Sequence, residues 1–210
     1  MSADTDVYRQ QGFDGRLAIS GGIGLLIVDF VNGFADPAVF GGGNIAPAIA
    51  ATVPVLARAR AEGWPVVHTR IVFAEDGSDA TVFCRKVPGM LRLTEQVPES
   101  AIVPELAPAP GEFVVRKRQP SAFSGTGLSA WLVERGVRSL VVCGCVTSGC
   151  IRASVLDAMQ EGFLPFVLSD CVGDRALGPH EANLFDMQQK YAEVMPRDDF
   201  FAALAARASA

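Results

Sequence analysis

The chain has 210 residues, half of them hydrophobic and 20% charged, with a formal net charge of -5 at pH 7. This composition excludes an intrinsically disordered chain, and the acidic balance disfavours a general nucleic-acid binder because phosphate contacts need clustered Lys and Arg. The polar segment 1–22 lacks the pattern of a signal peptide, and the apolar runs are too short for a transmembrane helix. We therefore expect a soluble, cytoplasmic protein with reduced cysteines. One domain over residues 1–210 is predicted, beginning with a polar N-terminal arm.

Apolar strands and helices alternate after the arm. Residues 25–31 (LLIVDFV) form a continuous apolar run, which predicts a strand buried on both faces. A helix is predicted over 45–62, ending before Gly63, and a second strand over 65–73. Residues 74–112 are rich in Pro and Glu, so we expect a long excursion that contains short helices or an active-site flap.

The same alternation continues to the end of the chain. Strands are predicted over 113–117, 139–144, 164–172 and 192–195, and helices over 128–135, 150–161, 180–191 and from 198 onwards. Such alternation indicates right-handed crossovers and helices on both faces of a sheet. The predicted fold class is α/β, a Rossmann-like three-layer α/β/α arrangement with a mostly parallel sheet of about six strands.

Three chemically useful side chains lie at predicted strand ends, where open parallel sheets bind their ligands. Asp29 lies in an otherwise apolar strand and needs a partner there, although a structural ion pair or a turn cap would also explain it. Lys117 lies in a run of three basic residues, and such a run is usually a solvated face. Cys150 follows the next strand, and Ser148 is a candidate N-cap for its helix. Backbone N–H groups in that first turn would lower the thiol pKa and could hold an oxyanion.

Other arrangements of reactive residues have less support. Cys84, Cys143 and Cys171 are interpreted as buried structural thiols, and the role of Cys145 is left open. The two histidines are far apart and no Cys-x-x-Cys pair occurs, so neither a metal site nor a cofactor is predicted. Whether His68 or His180 contacts a substrate stays open. No Gly-x-Ser-x-Gly elbow is present, and the glycines at 41–43, which lack the lysine of a phosphate loop, are interpreted as a loop.

Three segments, in this order, resemble the isochorismatase-like cysteine hydrolases. They are LLIVDFVNGFADP at 25–37, the strand end at Lys117 with Ser121-Ala122-Phe123, and GCVTSGCIRASVLDA at 144–158. The resemblance covers about residues 25–201 and implies an Asp-Lys-Cys triad. Cys150 would be the nucleophile, Asp29 its base, and Lys117 the neighbour of both. It also implies a cis peptide bond between Cys145 and Val146, with an oxyanion hole formed by the N–H groups of Val146 and Cys150.

Within that superfamily, residues 147–154 are similar to the subgroup of maleamate amidohydrolases and N-carbamoylsarcosine amidases. In this subgroup an arginine downstream of the nucleophile holds the substrate carboxylate, and Arg175 occupies the matching position. Thr147, Phe34 and Phe123 are further candidates for substrate contacts, with purely structural roles as the alternative. The metal-binding Asp and His cluster of nicotinamidase-like members has no counterpart here, which disfavours nicotinamide as the substrate.

The resemblance implies an amidohydrolase that forms a cysteine thioester on a small carboxylate-bearing amide. Maleamate, cleaved to maleate and ammonia as in nicotinate degradation, is the preferred substrate, and N-carbamoylsarcosine or a related ureido acid is the alternative. A vinyl-ether hydrolase of the isochorismatase type would not use a cysteine nucleophile, and a non-catalytic interaction module would not need the intact triad. No nucleic-acid or membrane partner is expected. Because family members are often oligomeric, a homo-oligomer (dimer or tetramer) is predicted, with the N-terminal arm packed on a neighbouring subunit.

Overall fold

A six-stranded sheet forms the centre of the computed structural model, which describes residues 3–208. The strands are β1 Gly22–Val28, β2 Val66–Ile71, β3 Phe113–Lys117, β4 Val137–Cys145, β5 Leu164–Gly173 and β6 Glu193–Met195. Their spatial order is β3-β2-β1-β4-β5-β6, and every neighbouring pair is parallel. The predicted α/β class and parallel sheet are confirmed. Because the strand order reverses between β1 and β4, the crevice at their carboxyl ends is where this architecture binds ligands.

Helices cover the sheet on both sides. They are α1 Ala3–Gln10, α2 Asn32–Ala35, α3 Ile45–Ala61, α4 Val82–Lys86, α5 Leu128–Glu134, α6 Arg152–Gln160, α7 Leu177–Lys190 and α8 Arg197–Ala208. Both α3 and α8 contact β5, and the ring of Trp64, which follows α3, packs edge-on against Phe200 of α8. Right-handed crossovers place α5 and α6 on the opposite face. No helix within residues 3–208 is long and apolar enough to span a membrane.

The central strand β1 is buried on both faces, as its unbroken apolar run predicts. Leu25, Leu26 and Val28 are all fully buried. The end of this strand differs from the prediction, which extended it to Val31. Asp29 adopts a φ of 52°, in the left-handed region, and the strand ends at Val28. The carboxylate therefore stands just beyond the carboxyl edge of the sheet.

The largest difference from the predicted elements follows β4. The chain makes a π-helical turn over Thr147–Ile151 before α6 begins at Arg152, so no α-helix starts at Cys150. The prediction that Ser148 caps this helix is wrong, because Ser148 lies inside the wider turn and no side chain caps it. The excursion at 74–112 contains α4 and three short 3-10 turns, as expected.

The N-terminal arm contacts its own chain. Tyr8 of α1 packs edge-on against Phe185 of α7, with ring centroids 5.5 Å apart. The N–H of Leu17 donates to the buried carboxylate of Glu193 at 2.6 Å, and Arg16 forms an ion pair with the same carboxylate at 3.0 Å. The described part of the arm is thus fastened to α7 and β6. A single domain, a homo-oligomer and a contact of the arm with a neighbouring subunit all stay predictions.

Candidate active site

A buried ion pair joins two of the three predicted catalytic residues. Lys117 Nζ lies 2.7 Å from Asp29 Oδ2, and both side chains are completely buried. Lys117 ends β3 and Asp29 follows β1, so the lysine side chain reaches across β2, a distance of about 10 Å between strand axes. The ammonium also donates to the carbonyls of Gln119 at 3.1 Å and Pro120 at 2.9 Å. These partners compensate for burying the charge.

Thr69, on the intervening strand β2, completes the surroundings of the carboxylate. Its hydroxyl donates to Asp29 Oδ1 at 2.6 Å and accepts the Asp29 N–H at 3.1 Å. Asp29 Oδ2 takes part in the ion pair but accepts no well-aligned hydrogen bond from any described residue. Sequence reasoning missed Thr69, although a polar residue inside the apolar strand 65–73 was a usable signal.

Cys150 lies beside this pair, and its thiol is strongly held in the neutral form. Burial is the largest influence and raises the pKa of the thiol to about 12; Lys117 lowers the pKa and Asp29 raises it again. The prediction of a lowered thiol pKa is wrong, because a buried thiolate loses its hydration while Asp29 offsets the charge of Lys117. Burial lowers the pKa of Lys117, but Asp29 and Cys150 outweigh that effect and raise it. The lysine therefore stays charged.

The turn that carries Cys150 begins at a cis peptide bond between Cys145 and Val146, as the resemblance predicted. The carbonyl of Val146 accepts the N–H groups of Gly149 at 3.0 Å and of Ile151 at 3.2 Å, and the second bond gives the turn its π-helical spacing. Such turns occur frequently at functional sites. The oxyanion hole formed by the N–H groups of Val146 and Cys150 stays a prediction.

Gly144 allows β4 to approach β1 closely at this edge. Its φ is 130°, and a Cβ at this position would lie 2.1 Å from the carbonyl oxygen of Val28. Only glycine fits this backbone conformation and spacing. The next residue, Cys145, donates its thiol hydrogen to the main-chain carbonyl of Asp29 at 3.2 Å. Burial, with Asp29 in addition, raises the pKa of the Cys145 thiol well above its ordinary value, which indicates a structural role for this cysteine.

Ser154 joins the turn that carries Cys150 to the loop that follows Lys117. Its hydroxyl donates to the carbonyl of Cys150 at 2.7 Å and accepts the N–H of Ala122 at 2.9 Å. The ring of Phe123 lies 5.9 Å from that of Phe163 and is almost fully buried. Phe123 therefore packs into the core beside the site, and its contact with a substrate stays a prediction.

Arg175 is exposed, and its Nε donates to the carbonyl of Phe40 at 3.1 Å. The ring of Phe40 lies 5.5 Å from that of Phe34, which is itself buried. The charge of Arg175 lowers the pKa of Cys145, which places the guanidinium within electrostatic reach of the β4 end. Phe40 thus contacts both Phe34 and Arg175, and the contact of these two residues with a substrate stays a prediction.

The comparison with known proteins is consistent with this geometry. The family model described as the Isochorismatase domain matches residues 24–199. The chain belongs to the isochorismatase family. It is 44% identical over 180 residues to the maleamate amidohydrolase of Pseudomonas putida, covering 83% of each chain. It is 32% identical over 209 residues to an N-carbamoylsarcosine amidase from an Arthrobacter species, covering 93% of this chain and 76% of that one.

Solved structures of the isochorismatase family share the same fold. A family member from Desulfovibrio vulgaris superposes with a TM-score of 0.81 at 32% identity, covering 89% of this chain and 100% of the other. These findings confirm the predicted resemblance. Since two relatives are named as an amidohydrolase and an amidase, the protein is an enzyme of this family that acts on amide C–N bonds.

The two histidines have different surroundings. His180 Nδ1 lies 2.8 Å from the hydroxyl of Thr147. Thr147, which was predicted to contact a substrate, is therefore buried and bonded within the protein. His68 Nε2 lies 3.0 Å from the carboxylate of Glu112, which directly precedes β3. Among the residues that the structure describes, no three His, Cys, Asp or Glu side chains are grouped as metal ligands. His180 therefore contacts the turn that carries Cys150, whereas His68 lies within the sheet.

Proposed function

We propose that this enzyme hydrolyses a short carboxylate-bearing amide through a thioester on Cys150, with maleamate as its substrate and maleate and ammonia as products. One observation above all supports this proposal. The buried pair of Asp29 and Lys117 lies next to a neutral thiol at the crevice where the strand order reverses. A carboxylate beside a protonated nucleophile is the arrangement that general-base activation needs.

The first half of the reaction forms the thioester. Asp29 takes the thiol proton while Cys150 Sγ attacks the amide carbonyl carbon, so a free thiolate never accumulates. The carbonyl electrons move to oxygen, where the N–H groups of Val146 and Cys150 stabilise the negative charge. The C–N bond then breaks, Asp29 returns the proton to the leaving nitrogen, and ammonia departs. Lys117 remains charged and holds the carboxylate in place.

The second half releases the acid. Asp29 removes a proton from a water molecule, and the resulting hydroxide attacks the thioester carbonyl. The C–S bond breaks, the sulfur of Cys150 recovers its proton from Asp29, and the carboxylic acid leaves. One water molecule is consumed for each amide cleaved, and atoms and charges balance without a further reactant.

The substrate class rests on Arg175 and on the relatives. The Nε–H of Arg175 donates to the main-chain carbonyl of Phe40. The terminal N–H groups of its guanidinium are then left for a substrate carboxylate. Identity to both maleamate amidohydrolase and N-carbamoylsarcosine amidase supports a short acid with a primary amide or ureido group. N-carbamoylsarcosine or a related ureido acid is the alternative substrate. All five cysteines are free thiols, which supports a cytoplasmic site of action.

Ammonia release from maleamate, N-carbamoylsarcosine and nicotinamide tests the proposal, with wild type, Cys150→Ala and Cys171→Ala. Cys171 is a matched control because it is a buried thiol that donates to a carbonyl of α3. Maleamate turnover that is lost only in Cys150→Ala, together with an acyl adduct on Cys150 after an acid quench, supports the mechanism and the substrate. Turnover of N-carbamoylsarcosine alone would support the alternative substrate. Activity that survives in Cys150→Ala would refute the nucleophile.

A charge-removing variant tests the carboxylate site separately. Arg175→Gln should lower kcat/KM for maleamate by about tenfold to a hundredfold, the usual effect of losing a charge-assisted hydrogen bond. The matched neutral amide, in which a methyl group replaces the carboxylate, should be cleaved equally by wild type and variant. An equal loss on both substrates would contradict a role for Arg175 in carboxylate binding.

A further inference from the structure

A closed ring of hydrogen bonds surrounds the start of the nucleophile turn. Asp174 Oδ2 accepts the Ser148 N–H at 2.8 Å, and the Asp174 N–H donates to Asn44 Oδ1 at 2.8 Å. Asn44 Nδ2 lies 3.3 Å from His180 Nε2, and His180 Nδ1 lies 2.8 Å from Thr147 Oγ1. Thr147 and Ser148 are consecutive, so the chain itself closes the ring. Three separate segments of the chain thus hold the first two residues of the turn.

The bonding pattern fixes the proton on His180. Asn44 Oδ1 accepts the Asp174 N–H, so its amide nitrogen must face His180 Nε2. Nε2 can then only accept, and the proton of the neutral ring is on Nδ1, from which it donates to the Thr147 hydroxyl. Burial lowers the pKa of His180, which keeps the ring neutral even though Asp174 and Glu181 raise it. A second proton on the ring would place the N–H of His180 Nε2 against the N–H of Asn44 Nδ2.

Asp174 also holds the other end of the proposed substrate site. Its Oδ1 accepts the N–H of Arg175 at 2.8 Å, while its Oδ2 accepts the N–H of Ser148. The carboxylate is almost completely buried. One rigid group therefore bridges the turn that carries the nucleophile and the backbone of the arginine proposed to bind the substrate carboxylate.

The loop before α3 fixes Asp174 from the opposite side. A Cβ on Gly43 would lie 2.0 Å from the carbonyl oxygen of Asp174, and Gly43 has a φ of 51°. The N–H of Asn44 donates to that same carbonyl at 3.2 Å. Only glycine permits so close a contact. The 41–43 glycines, which the sequence suggested only as a loop, let this loop pack directly on the residue that links Ser148 to Arg175.

We propose that Asp174 and His180 are positioning residues that set the spacing between Cys150 and Arg175, and so match the enzyme to acids whose amide and carboxylate are a fixed short distance apart. This inference rests on the proposed function of Arg175 and Cys150. The hydrogen bonds of Asp174 and His180 go to Asn44, Thr147, Ser148 and Arg175. They act by holding Ser148, Thr147 and the Arg175 backbone, and a small error in such placement can cost about a hundredfold in rate.

Competing alkylation of Cys150 by iodoacetate and iodoacetamide measures this spacing without requiring turnover. Both reagents transfer a two-carbon group to the Cys150 sulfur with loss of iodide, but only iodoacetate carries a carboxylate for Arg175. Mass spectrometry gives the ratio of the two adducts on Cys150. The variants are Asp174→Asn, His180→Gln and Arg175→Gln. Glu193→Gln is the matched control, since Glu193 is a buried carboxylate that accepts a main-chain N–H far from the site.

Asp174→Asn keeps the size of the side chain but leaves only one acceptor oxygen for two N–H donors. We expect its iodoacetate-to-iodoacetamide ratio to fall by about threefold or more, in the direction of Arg175→Gln. The ratio of Glu193→Gln should equal that of wild type. A folded Asp174→Asn with the wild-type ratio would overturn the inference.

If Asp174→Asn does not fold, His180→Gln decides by the same ratio. Its amide oxygen can still accept from Asn44, but it cannot place a donor at Thr147. A lowered ratio supports the inference, and the wild-type ratio overturns it. If Arg175→Gln itself leaves the ratio unchanged, the proposed carboxylate site fails and the inference fails with it. If only Arg175→Gln lowers the ratio, the proposed function stands and the positioning role falls.

Discussion

Cys150 should keep its proton in the resting enzyme up to strongly alkaline pH. The pKa of its thiol is about 12, compared with an ordinary value of 9.0, chiefly because the group is buried. A difference of three units disfavours the thiolate by about 4 kcal/mol. At pH 8 about one enzyme molecule in 10,000 would carry the thiolate, compared with about one in ten for a free thiol.

Asp29→Asn should change thiol reactivity and turnover in opposite directions. Asp29 raises the pKa of the Cys150 thiol and Lys117 lowers it, so removing the carboxylate charge should lower this pKa. Alkylation of Cys150 by iodoacetamide should therefore become faster at a given alkaline pH. Amide hydrolysis should fall by about 100-fold to 10,000-fold, because the proposed general base is lost.

Two measurements check this reasoning. The ultraviolet absorbance of thiolates, recorded against pH for wild type and Cys150→Ser, should show no Cys150 step below about pH 10. Alkylation kinetics of Asp29→Asn, with the adduct located on Cys150 by mass spectrometry, supply the second comparison. A wild-type titration step near neutral pH that disappears in Cys150→Ser would refute the neutral resting thiol. Slower alkylation in Asp29→Asn would refute the opposing influences of the two charges.

Two further variants test the charged groups of Lys117 and Glu112. Lys117→Met should leave the Asp29 charge buried without its partner, which lowers the free energy of unfolding by about 3–5 kcal/mol. The same variant should release no ammonia. A folded variant with wild-type stability in urea would contradict the role of the ion pair. Burial raises the pKa of Glu112, but bonds from Arg60, a main-chain N–H and His68 together lower it to about 2 from 4.5. This carboxylate therefore contributes up to about 3 kcal/mol of stability, complete above about pH 4.5 and lost as the pH falls towards 2. In urea titrations from neutral to acidic pH, the free energy of unfolding of Glu112→Gln should lack this loss on acidification. A pH dependence equal to that of wild type would contradict the stabilising role of Glu112.

The sequence was sufficient for the sheet because buried parallel strands have a simple pattern. The unbroken apolar runs before Asp29 and Cys145 predicted central strands, and both are buried on both faces. The strand ends were less accurate. Nothing local in the sequence predicts that Asp29 takes a left-handed φ, which ends β1 three residues earlier than its hydrophobic pattern suggests.

The burial of Lys117 could have been predicted from its position in the strand, although the run of basic residues around it suggested a solvated face. Three consecutive basic residues usually form a solvated face, and the outer two do so here. The side chains of Arg116 and Arg118 are more than half exposed and pair with Glu95 and Asp79. Side chains alternate across a strand, so the middle residue must point the other way, and Lys117 is fully buried. Alternation alone could have separated Lys117 from its neighbours.

The hydrogen-bonded ring could not be predicted from the sequence. Asn44, Asp174 and His180 come from a glycine-rich loop, a strand end and a helix, and each is unremarkable in its own segment. Their connection depends on the packing of β4, β5 and α3 in space. For the same reason the shift in the pKa of the Cys150 thiol was predicted in the wrong direction. A position near a predicted helix start indicates the favourable helix dipole, but it does not indicate how deeply the thiol is buried.

The energetic cost of the Asp29–Lys117 pair is itself an argument for catalysis. Replacing a buried ion pair with well-packed apolar residues is often neutral or stabilising, by about 1–4 kcal/mol. The strand β1 that precedes Asp29 is otherwise apolar, with Leu25, Leu26 and Val28 fully buried, so stability gives no reason to keep two charges at its end. A base that must accept a proton from a thiol of pKa about 12 does need a fixed position and an unshared lone pair. Thr69 and Lys117 provide the position, and a carboxylate oxygen has two lone pairs, so Asp29 Oδ2 can accept a proton while it faces the ammonium.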